Sequence, residues 1–171
     1  MEDTNKKSPP AYIINLFDRT NLDEGTVDIL HYFSREGFIM YLSHLSSKFR
    51  ELVKFDKSEK WQLYFIAQEN FKAIKIGLAK NPYKRLIGLQ TGSPLKLLLL
   101  WYYDPLLYHA DSIFENWKSL DVYGYEKAEL EWFGTHRLNG EWFEPDDRSF
   151  RMLCHAGWHI IEWYKENQNE R

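Results

Sequence analysis

Apolar residues in the first part of the chain recur at the spacing of helices. Between about Leu22 and Phe55 they lie three or four positions apart, so we predict two helices there, separated at Gly37. The preceding stretch, which includes Lys6-Lys7-Ser8-Pro9-Pro10, is polar and lacks this period. We therefore assign residues 1–12 to a flexible leader and residues 13–60 to an N-terminal helical segment.

The spacing changes to that of β-strands at Trp61, where we place the start of a second domain, residues 61–171. Residues 62–67 and 73–77 are rich in β-branched and aromatic side chains, which favour strands. Glu69-Asn70 lies between them and is typical of a turn. The pattern predicts a β-hairpin.

A helix and a third strand follow the hairpin. Asn81 is a good N-cap and Pro82 suits the first helical position, while the glycine and proline in residues 91–94 should end the helix. Residues 95–103 form a continuous apolar run of strand length, as expected for a central strand. The order β-β-α-β predicts an α+β fold with a small three-stranded antiparallel sheet flanked by helices.

The last third of the chain is predicted to be mainly helical. We expect one helix over residues 105–120, a break at 121–124 and a second helix over 125–133. Residues 137–140 carry a turn signal, and a last helix should begin near Arg148.

Charge limits the kinds of partner that the chain can bind. The formal net charge of −3 argues against a surface that binds polyanions everywhere, so a nucleic-acid site would have to be local. One stretch, residues 72–96, has basic residues and no acidic ones, although a solvated helix face could show the same bias. Its basic residues are Lys72, Lys75, Lys80, Lys84, Arg85 and Lys96.

Segments that would direct the chain to a membrane or to secretion are not apparent. No stretch approaches the roughly 20 apolar residues of a membrane helix, and the first ten residues are unlike a signal peptide. The single cysteine, Cys154, lies in a helical pattern and is expected to pack in the core. We expect a cytoplasmic protein, or a nuclear one in a eukaryote, with no membrane partner.

Five short motifs occur in order within the second domain. The motifs are Tyr64-Phe65-Ile66, Lys75-Ile76-Gly77, Pro82-Tyr83-Lys84-Arg85-Leu86, Gln90-Thr91-Gly92-Ser93-Pro94 and Gly140-Glu141-Trp142-Phe143. In combination they resemble the GIY-YIG nuclease superfamily, especially the branch with YFI, KIG and GEWF motifs. The resemblance implies a GIY-YIG-type core with an N-terminal helical extension.

The resemblance implies a catalytic site made of four residues. Tyr64 would lie against the scissile phosphate and orient or deprotonate the attacking water. Lys75 takes the place of the family's second tyrosine and could hold phosphate or activate water, and Arg85 would clamp phosphate through its planar donor fork. Glu126 would bind Mg²⁺ or Mn²⁺, which keeps much of its hydration shell. Glycine 77 is expected to serve backbone geometry.

The chain departs from the family pattern at two positions. Leu130 stands where the family commonly has histidine, and Ala79 replaces a frequent serine or threonine after KIG. If Glu126 is not the metal ligand, Glu115 or Glu129 could take that role. The departures also leave open a second function, a nucleic-acid-binding or regulatory module that has lost turnover.

The implied partner is DNA, with RNA not excluded. A third reading is an interaction protein that forms a homodimer or binds a protein partner through its N-terminal helices. His155 and His159 share a helical face and are a weaker candidate for metal binding. Besides the catalytic residues, the candidates for nucleic-acid contact are Lys72, Lys80, Lys84, Lys96 and Arg137.

Overall fold

The computed structural model of the chain describes residues 34–53, 59–110, 119–133 and 137–167. The predicted leader and the first predicted helix therefore lie outside the described residues. Among the helices that are described, none combines the length and apolar character needed to cross a membrane. The elements are α1 (Arg35–Leu52), β1 (Gln62–Gln68), β2 (Ile74–Ala79), α2 (Pro82–Thr91), β3 (Leu97–Tyr103), α3 (Pro105–Tyr108), α4 (Val122–Phe133), β4 (Arg137–Asn139), β5 (Trp142–Phe143) and α5 (Asp147–Asn167).

Helix α1 begins just before Gly37, the residue at which we expected a break. Ser34 is the N-cap, and its hydroxyl oxygen accepts a hydrogen bond from the Gly37 backbone N–H at 3.2 Å. Gly37 therefore lies inside the first turn, where a side-chain cap satisfies its N–H, and the helix continues through it to Leu52. The described helix thus begins two residues before Gly37, and the first of the two predicted helices lies almost entirely outside the described residues.

The predicted hairpin and third strand form the centre of an antiparallel sheet. Strand β1 pairs with β2 on one side and with β3 on the other. Within the described part of the chain, the short strands β5 and β4 extend the sheet beyond β2, giving the order β3-β1-β2-β5-β4. The fold is thus α+β as expected, but the prediction of three strands was too small. Strands of two and three residues carry no periodic signal that a sequence pattern could reveal.

Helix α2 forms as its sequence predicts. Asn81 is the N-cap, and its side-chain oxygen accepts from the Lys84 backbone N–H at 2.9 Å. Pro82 occupies the first helical position, where its missing N–H costs nothing, and the helix ends at Thr91. This short helix packs mainly against β3 and also contacts β1 and β2, and Arg85 in its first turns reaches Tyr64 of the hairpin.

The segment after β3 differs from the prediction at two points. Within the described part of the expected helix over 105–120, residues 105–108 form the short α3 and a turn follows at His109-Ala110; residues 111–118 are not described. The expected break at 121–124 is instead the start of α4. Asp121 accepts a hydrogen bond from the Gly124 backbone N–H at 2.8 Å and so caps the helix. We predicted a break over residues 121–124 because glycine disfavours helices, and Gly124 lies in the first turn. The role of Asp121 as the helix cap was therefore not recognised.

Helices α1 and α5 cover the sheet and share its core. The Ser46 hydroxyl donates to the Leu99 carbonyl at 3.0 Å, and Phe49 packs edge-on against Tyr102 and Tyr164. Helix α5 starts where expected, at Asp147, and it buries Cys154. The described part of the N-terminal segment thus belongs to the same hydrophobic core as the sheet.

Candidate active site

Tyr64 and Lys75 extend from neighbouring strands toward the same face of the sheet. Tyr64 in β1 pairs directly with Gly77 in β2, and Lys75 lies two positions before Gly77. Directly paired residues share a face, and residues two apart in a strand share one as well. The hairpin therefore brings the two predicted residues side by side.

Gly77 provides the space in which the Tyr64 ring lies. A Cβ atom at position 77 would stand 2.4 Å from the Tyr64 hydroxyl oxygen and 2.6 Å from Cζ, which is closer than real contacts allow. Gly77 does not adopt a positive φ, so the glycine is needed for close approach and not for the backbone geometry that we expected. The ring is held over the strand, with only 1% of the residue exposed.

Arg85 meets Tyr64 from helix α2. It lies in the first turn, where its backbone N–H bonds to the Asn81 carbonyl at 3.0 Å. The Arg85 Nε donates to the Tyr64 hydroxyl oxygen over 3.4 Å, a long hydrogen bond. Burial raises the pKa of Tyr64, while the hydrogen bond and positive charge of Arg85 act in the opposite direction. The tyrosine is therefore a neutral hydroxyl near pH 7, beside an exposed guanidinium.

Lys75 is buried and forms an ion pair with Glu141. Its ammonium group contacts the Glu141 carboxylate, and only 5% of the lysine is exposed. The ammonium also lies 5.9 Å from the centre of the Trp142 ring, which favours a cation. A lysine buried at this depth needs such a partner, because an unpaired charge away from water is costly.

Glu141 reaches Lys75 because of the short β4–β5 turn. Gly140 has a φ of +58°, a conformation that residues with a side chain rarely adopt, and the turn carries Glu141 beside β2. The Glu141 carbonyl accepts from the Ile76 backbone N–H at 3.3 Å, which continues the sheet past the turn. In the sequence, Glu141 stood out only as part of a motif, and no role was predicted for it. The available signal was its position between a turn glycine and a strand.

Glu126 of α4 approaches the same place from the edge of β2. The pKa of its carboxyl group is raised, chiefly by burial and also by the charge of Glu141. The Leu78 backbone N–H, which bonds to the carboxylate, and the charge of Lys75 act against this rise. Glu126 and Glu141 both act electrostatically on Tyr64 as well. Thus the four residues predicted to be catalytic converge, together with one acid that was not predicted.

The charges of this cluster formally cancel. Arg85 and Lys75 supply two positive charges, and Glu126 and Glu141 supply two negative ones around a neutral Tyr64. The two cations differ in access, since Arg85 is exposed whereas Lys75 is buried against its carboxylate partner. An incoming anion would meet Arg85 first and would have to compete with Glu141 for Lys75.

The two alternative acids do not join this cluster in the described structure. Glu129, one helical turn after Glu126, is 9% exposed and accepts a hydrogen bond from the Tyr103 hydroxyl at 3.1 Å. Glu115 lies outside the described residues. Leu130, which departs from the family pattern, packs in the hydrophobic core with 6% exposure. The presence of leucine instead of histidine at this position therefore affects packing in the core and not the groups around Tyr64.

The other predicted basic residues are spread over more than one region. Lys84 is exposed beside Arg85, and Lys80 follows β2 directly. Lys72 and Lys96 lie instead near the hairpin turn at the end of β1, about 14 Å along the strand from Tyr64. Arg137 begins β4, but its side chain is outside the described part of the structure.

The donor set fits a hard cation that retains most of its water. Mg²⁺ is commonly held by one or two carboxylates together with water and substrate phosphate, and Glu126 with Glu141 matches that pattern. The mutual repulsion that helps raise the pKa of Glu126 is the kind of strain that a cation relieves. Over the described ranges, no group of three or more His, Cys, Asp or Glu side chains is arranged to hold a metal, His155 and His159 included.

Comparisons with known proteins leave the site to be judged on this geometry. No protein-family model matches the chain, no curated protein matches it, and no solved structure matches it.

Proposed function

We propose that the chain is a metal-dependent endonuclease that hydrolyses DNA phosphodiester bonds on a GIY-YIG-type core. The observation that carries the proposal is the convergence of Arg85, Glu126 and Glu141 on Tyr64, with Lys75 paired to Glu141 beside them. Phosphodiester hydrolysis needs cations near the phosphate oxygens and a group that accepts a proton from water. The cluster contains both kinds of group within one small region.

Arg85 is the residue best suited to receive the phosphate. Its side chain is exposed, and its Nε already points at the Tyr64 hydroxyl, which leaves the terminal nitrogens to donate to phosphate oxygens. Tyr64 then serves as a neutral donor and orienting group beside the phosphate. Because burial raises its pKa, it is a poor general base near neutral pH.

The carboxylates are the candidates for holding the metal ion. The charge of Glu141 helps to raise the pKa of Glu126, and a cation would relieve that repulsion by stabilising both carboxylates in their charged form. Glu126, with Glu141 beside it, would hold Mg²⁺ or Mn²⁺ in this proposal, and the ion would lower the pKa of water that it binds. The ion would polarise the phosphate and neutralise charge that develops on its oxygens.

Lys75 contributes a buried positive charge whose position Glu141 fixes. Because the ion pair holds the ammonium group next to β2, Lys75 stabilises negative charge at the cluster without having to be ordered when substrate arrives. Exposed Lys84 lies next to Arg85 and would contact the phosphate backbone on either side of the cleaved bond.

A second function on the same surface is nucleic-acid binding without turnover. The specific observation in its favour is the Lys75–Glu141 ion pair, because a lysine engaged by a carboxylate is less available to the phosphate. Binding would then depend on Arg85 and the exposed lysines, and cleavage would be absent with every metal.

The direct test is nicking of supercoiled plasmid by the whole chain with Mg²⁺, Mn²⁺ or EDTA. We expect cleavage with either metal and none with EDTA. Arg85→Ala and Glu126→Gln should each lower the rate by about 100-fold or more, since each removes a group that acts on the reacting phosphate or water. Electrophoresis of the relaxed and linear forms measures the rate.

Two substitutions on the surface of α1 serve as matched controls. Arg50→Ala and Glu51→Gln make the same chemical changes at exposed positions on a helix that carries no residue of the cluster. Both should cleave like the wild type. Plasmid binding without nicking under every metal condition would favour the second function, and equal losses in control and site variants would contradict both.

A further inference from the structure

A groove that opens beside the proposed site combines aromatic, aliphatic and cationic side chains. Its volume is about 430 Å³, and Trp61 in its lining is 37% exposed. The Trp61 ring contacts the ring of Tyr123, which is 60% exposed and follows Val122 of the lining. The side chains that line the groove are Lys60, Trp61, Asp104, Leu106, Leu107 and Val122. The cluster around Tyr64 does not use any of them.

The groove adjoins the proposed site along α4. Tyr123 lies one turn before Glu126, about 5 Å away along the helix and on the same side of it. Because Gln62 pairs with Ala79, the next residues outward, Trp61 and Lys80, lie beside each other, and the Trp61 ring contacts the Tyr123 ring. One short oligonucleotide can therefore reach both places.

The two aromatic rings are placed to accept another flat ring. Their centroids are 6.3 Å apart and their planes are inclined by 53°, so they do not stack fully on each other. The Lys80 ammonium lies 5.8 Å from the centre of the Trp61 ring, which puts a positive charge at the same edge. Aromatic side chains beside a cation are the usual components of sites that bind unpaired bases.

The charges at the groove match a nucleic acid better than an apolar protein segment. Lys60 in the lining and Lys80 beside the Trp61 ring are exposed, while Asp104 is the acidic group in the lining. Asp104 accepts hydrogen bonds from the Leu106 and Leu107 backbone N–H groups, and its other oxygen lies 3.9 Å from Lys60. Its negative charge is thus directed at the start of α3 and at a lysine.

We infer that this groove is a stacking subsite for an unpaired base of the same nucleic acid whose phosphate binds at Arg85. The inference rests on the proposed function and names its substrate class: nucleic acid with a single-stranded stretch next to the phosphate. Trp61 and Tyr123 supply the stacking surfaces, and Lys60 and Lys80 contact the adjoining phosphates. A paired base cannot enter, because both its faces are already stacked in the duplex.

The test compares the binding of short labelled oligonucleotides by the full chain in EDTA, where no cleavage interferes. The oligonucleotides are a single strand, its duplex, and the same strand without bases over a central stretch. We expect the single strand to bind more tightly than the duplex or the abasic strand. Trp61→Ala and Tyr123→Ala should each weaken single-strand binding by about 5- to 100-fold, the range seen when a stacked base loses its aromatic partner.

Matched variants separate stacking from loss of fold. Trp132→Ala removes an exposed tryptophan from α4 that lies nine residues after Tyr123, away from Trp61 and the groove lining, and should bind normally. Trp61→Phe keeps an aromatic face and should retain most of the affinity. On the abasic strand, Trp61→Ala should cause little loss, because the base that it would stack on is missing.

The outcomes distinguish this inference from the proposed function. Plasmid cleavage with no effect of Trp61→Ala or Tyr123→Ala on single-strand binding would overturn the subsite and leave the nuclease proposal standing. Binding that depends on Trp61 and on bases, with no cleavage under any metal, would support the subsite and contradict the nuclease. If no oligonucleotide binds, the subsite is wrong, and a groove for an apolar protein segment becomes the better explanation.

Discussion

Glu126 and Glu129 lie one turn apart on α4, yet they belong to opposite environments. Glu126 is half-buried at the edge of β2, near Lys75, Glu141 and the Leu78 backbone N–H. Glu129 is buried among aromatic side chains and bonds to the Tyr103 hydroxyl. The first carboxyl group has the cation Lys75 near it and access to solvent, whereas the second has neither.

A raised carboxyl pKa therefore does not by itself identify a functional group in this molecule. Burial raises the pKa of both glutamates, to about 7 for Glu129. At Glu126 the rise occurs beside groups that could bind an anion or a metal, so it serves chemistry in our proposal. At Glu129 no cation compensates, and the hydrogen bond from Tyr103 only partly offsets the burial. That carboxyl group is a feature of the core.

The largest expected effect separates the two glutamates by activity. Glu129→Gln should retain metal-dependent cleavage, while Glu126→Gln should lose about 100-fold or more, because only Glu126 lies with the groups around Tyr64. Plasmid nicking under identical metal and pH conditions measures the contrast. Equal activity of the two variants would break the distinction on which the site assignment depends.

The next effect concerns stability as a function of pH. The folded protein holds a proton on Glu129 up to about pH 7, whereas the unfolded chain releases it near the ordinary value of 4.5. The folded state therefore binds more protons between these values, and the free energy of unfolding falls as the pH rises through this window. The loss amounts to about 3 kcal/mol, since each pKa unit corresponds to about 1.4 kcal/mol.

Glu129→Gln should remove this loss, because glutamine stays neutral and can still bond to Tyr103. Urea unfolding of both proteins at pH 5 and pH 8 measures the effect: the variant should gain stability relative to the wild type at the higher pH. Burial lowers the pKa of nearby His109 to about 4, which has the opposite pH dependence, but both proteins share it. A stability difference that does not change with pH would refute the buried, protonated Glu129.

The smallest expected effect concerns Gly77, which leaves space for the Tyr64 ring in the cluster that contains Glu126. Gly77→Ala places a methyl group against the Tyr64 hydroxyl, so the ring must move, at a cost of about 1–3 kcal/mol in the free energy of unfolding. Cleavage should fall as well, because Tyr64 and Arg85 lose their alignment. Thermal or urea unfolding and the nicking assay provide the two measurements.

Gly88→Ala is the control for this substitution. Gly88 lies in α2, and a Cβ atom there would have no neighbour within 4 Å. Alanine should stabilise the helix by up to about 1 kcal/mol and leave cleavage unchanged. If Gly77→Ala behaves like Gly88→Ala, the close approach of Tyr64 to β2 is wrong. The pH dependence assigned to Glu129 should persist in both variants.

Local sequence patterns were sufficient to predict the strands and the helix that carry Tyr64, Lys75 and Arg85. The hairpin, the Asn81-Pro82 helix start and the apolar third strand all formed where expected, because their turn, cap and strand signals lie within a few residues of each other. The same signals bring Tyr64, Lys75 and Arg85 into one region.

Features that depend on distant residues were not predicted from the sequence. Glu141 pairs with Lys75 across 66 positions, and two short strands bring it there. The start of α4 at Val122 and the end of α3 at Tyr108 also differ from the expected bounds, since a glycine concealed one cap and a helical pattern continued past the observed turn.

The sequence by itself determined which residues form strands and helices around the hairpin, and which chemical groups could meet a phosphate. Only the tertiary structure decided how those groups are paired: Glu126 with the cluster, Glu129 with Tyr103, and Gly77 beneath the Tyr64 ring. The physical reason is range. Periodicity, caps and turns act over a few residues, whereas burial, ion pairing and close approach depend on strands and helices that are far apart in the chain.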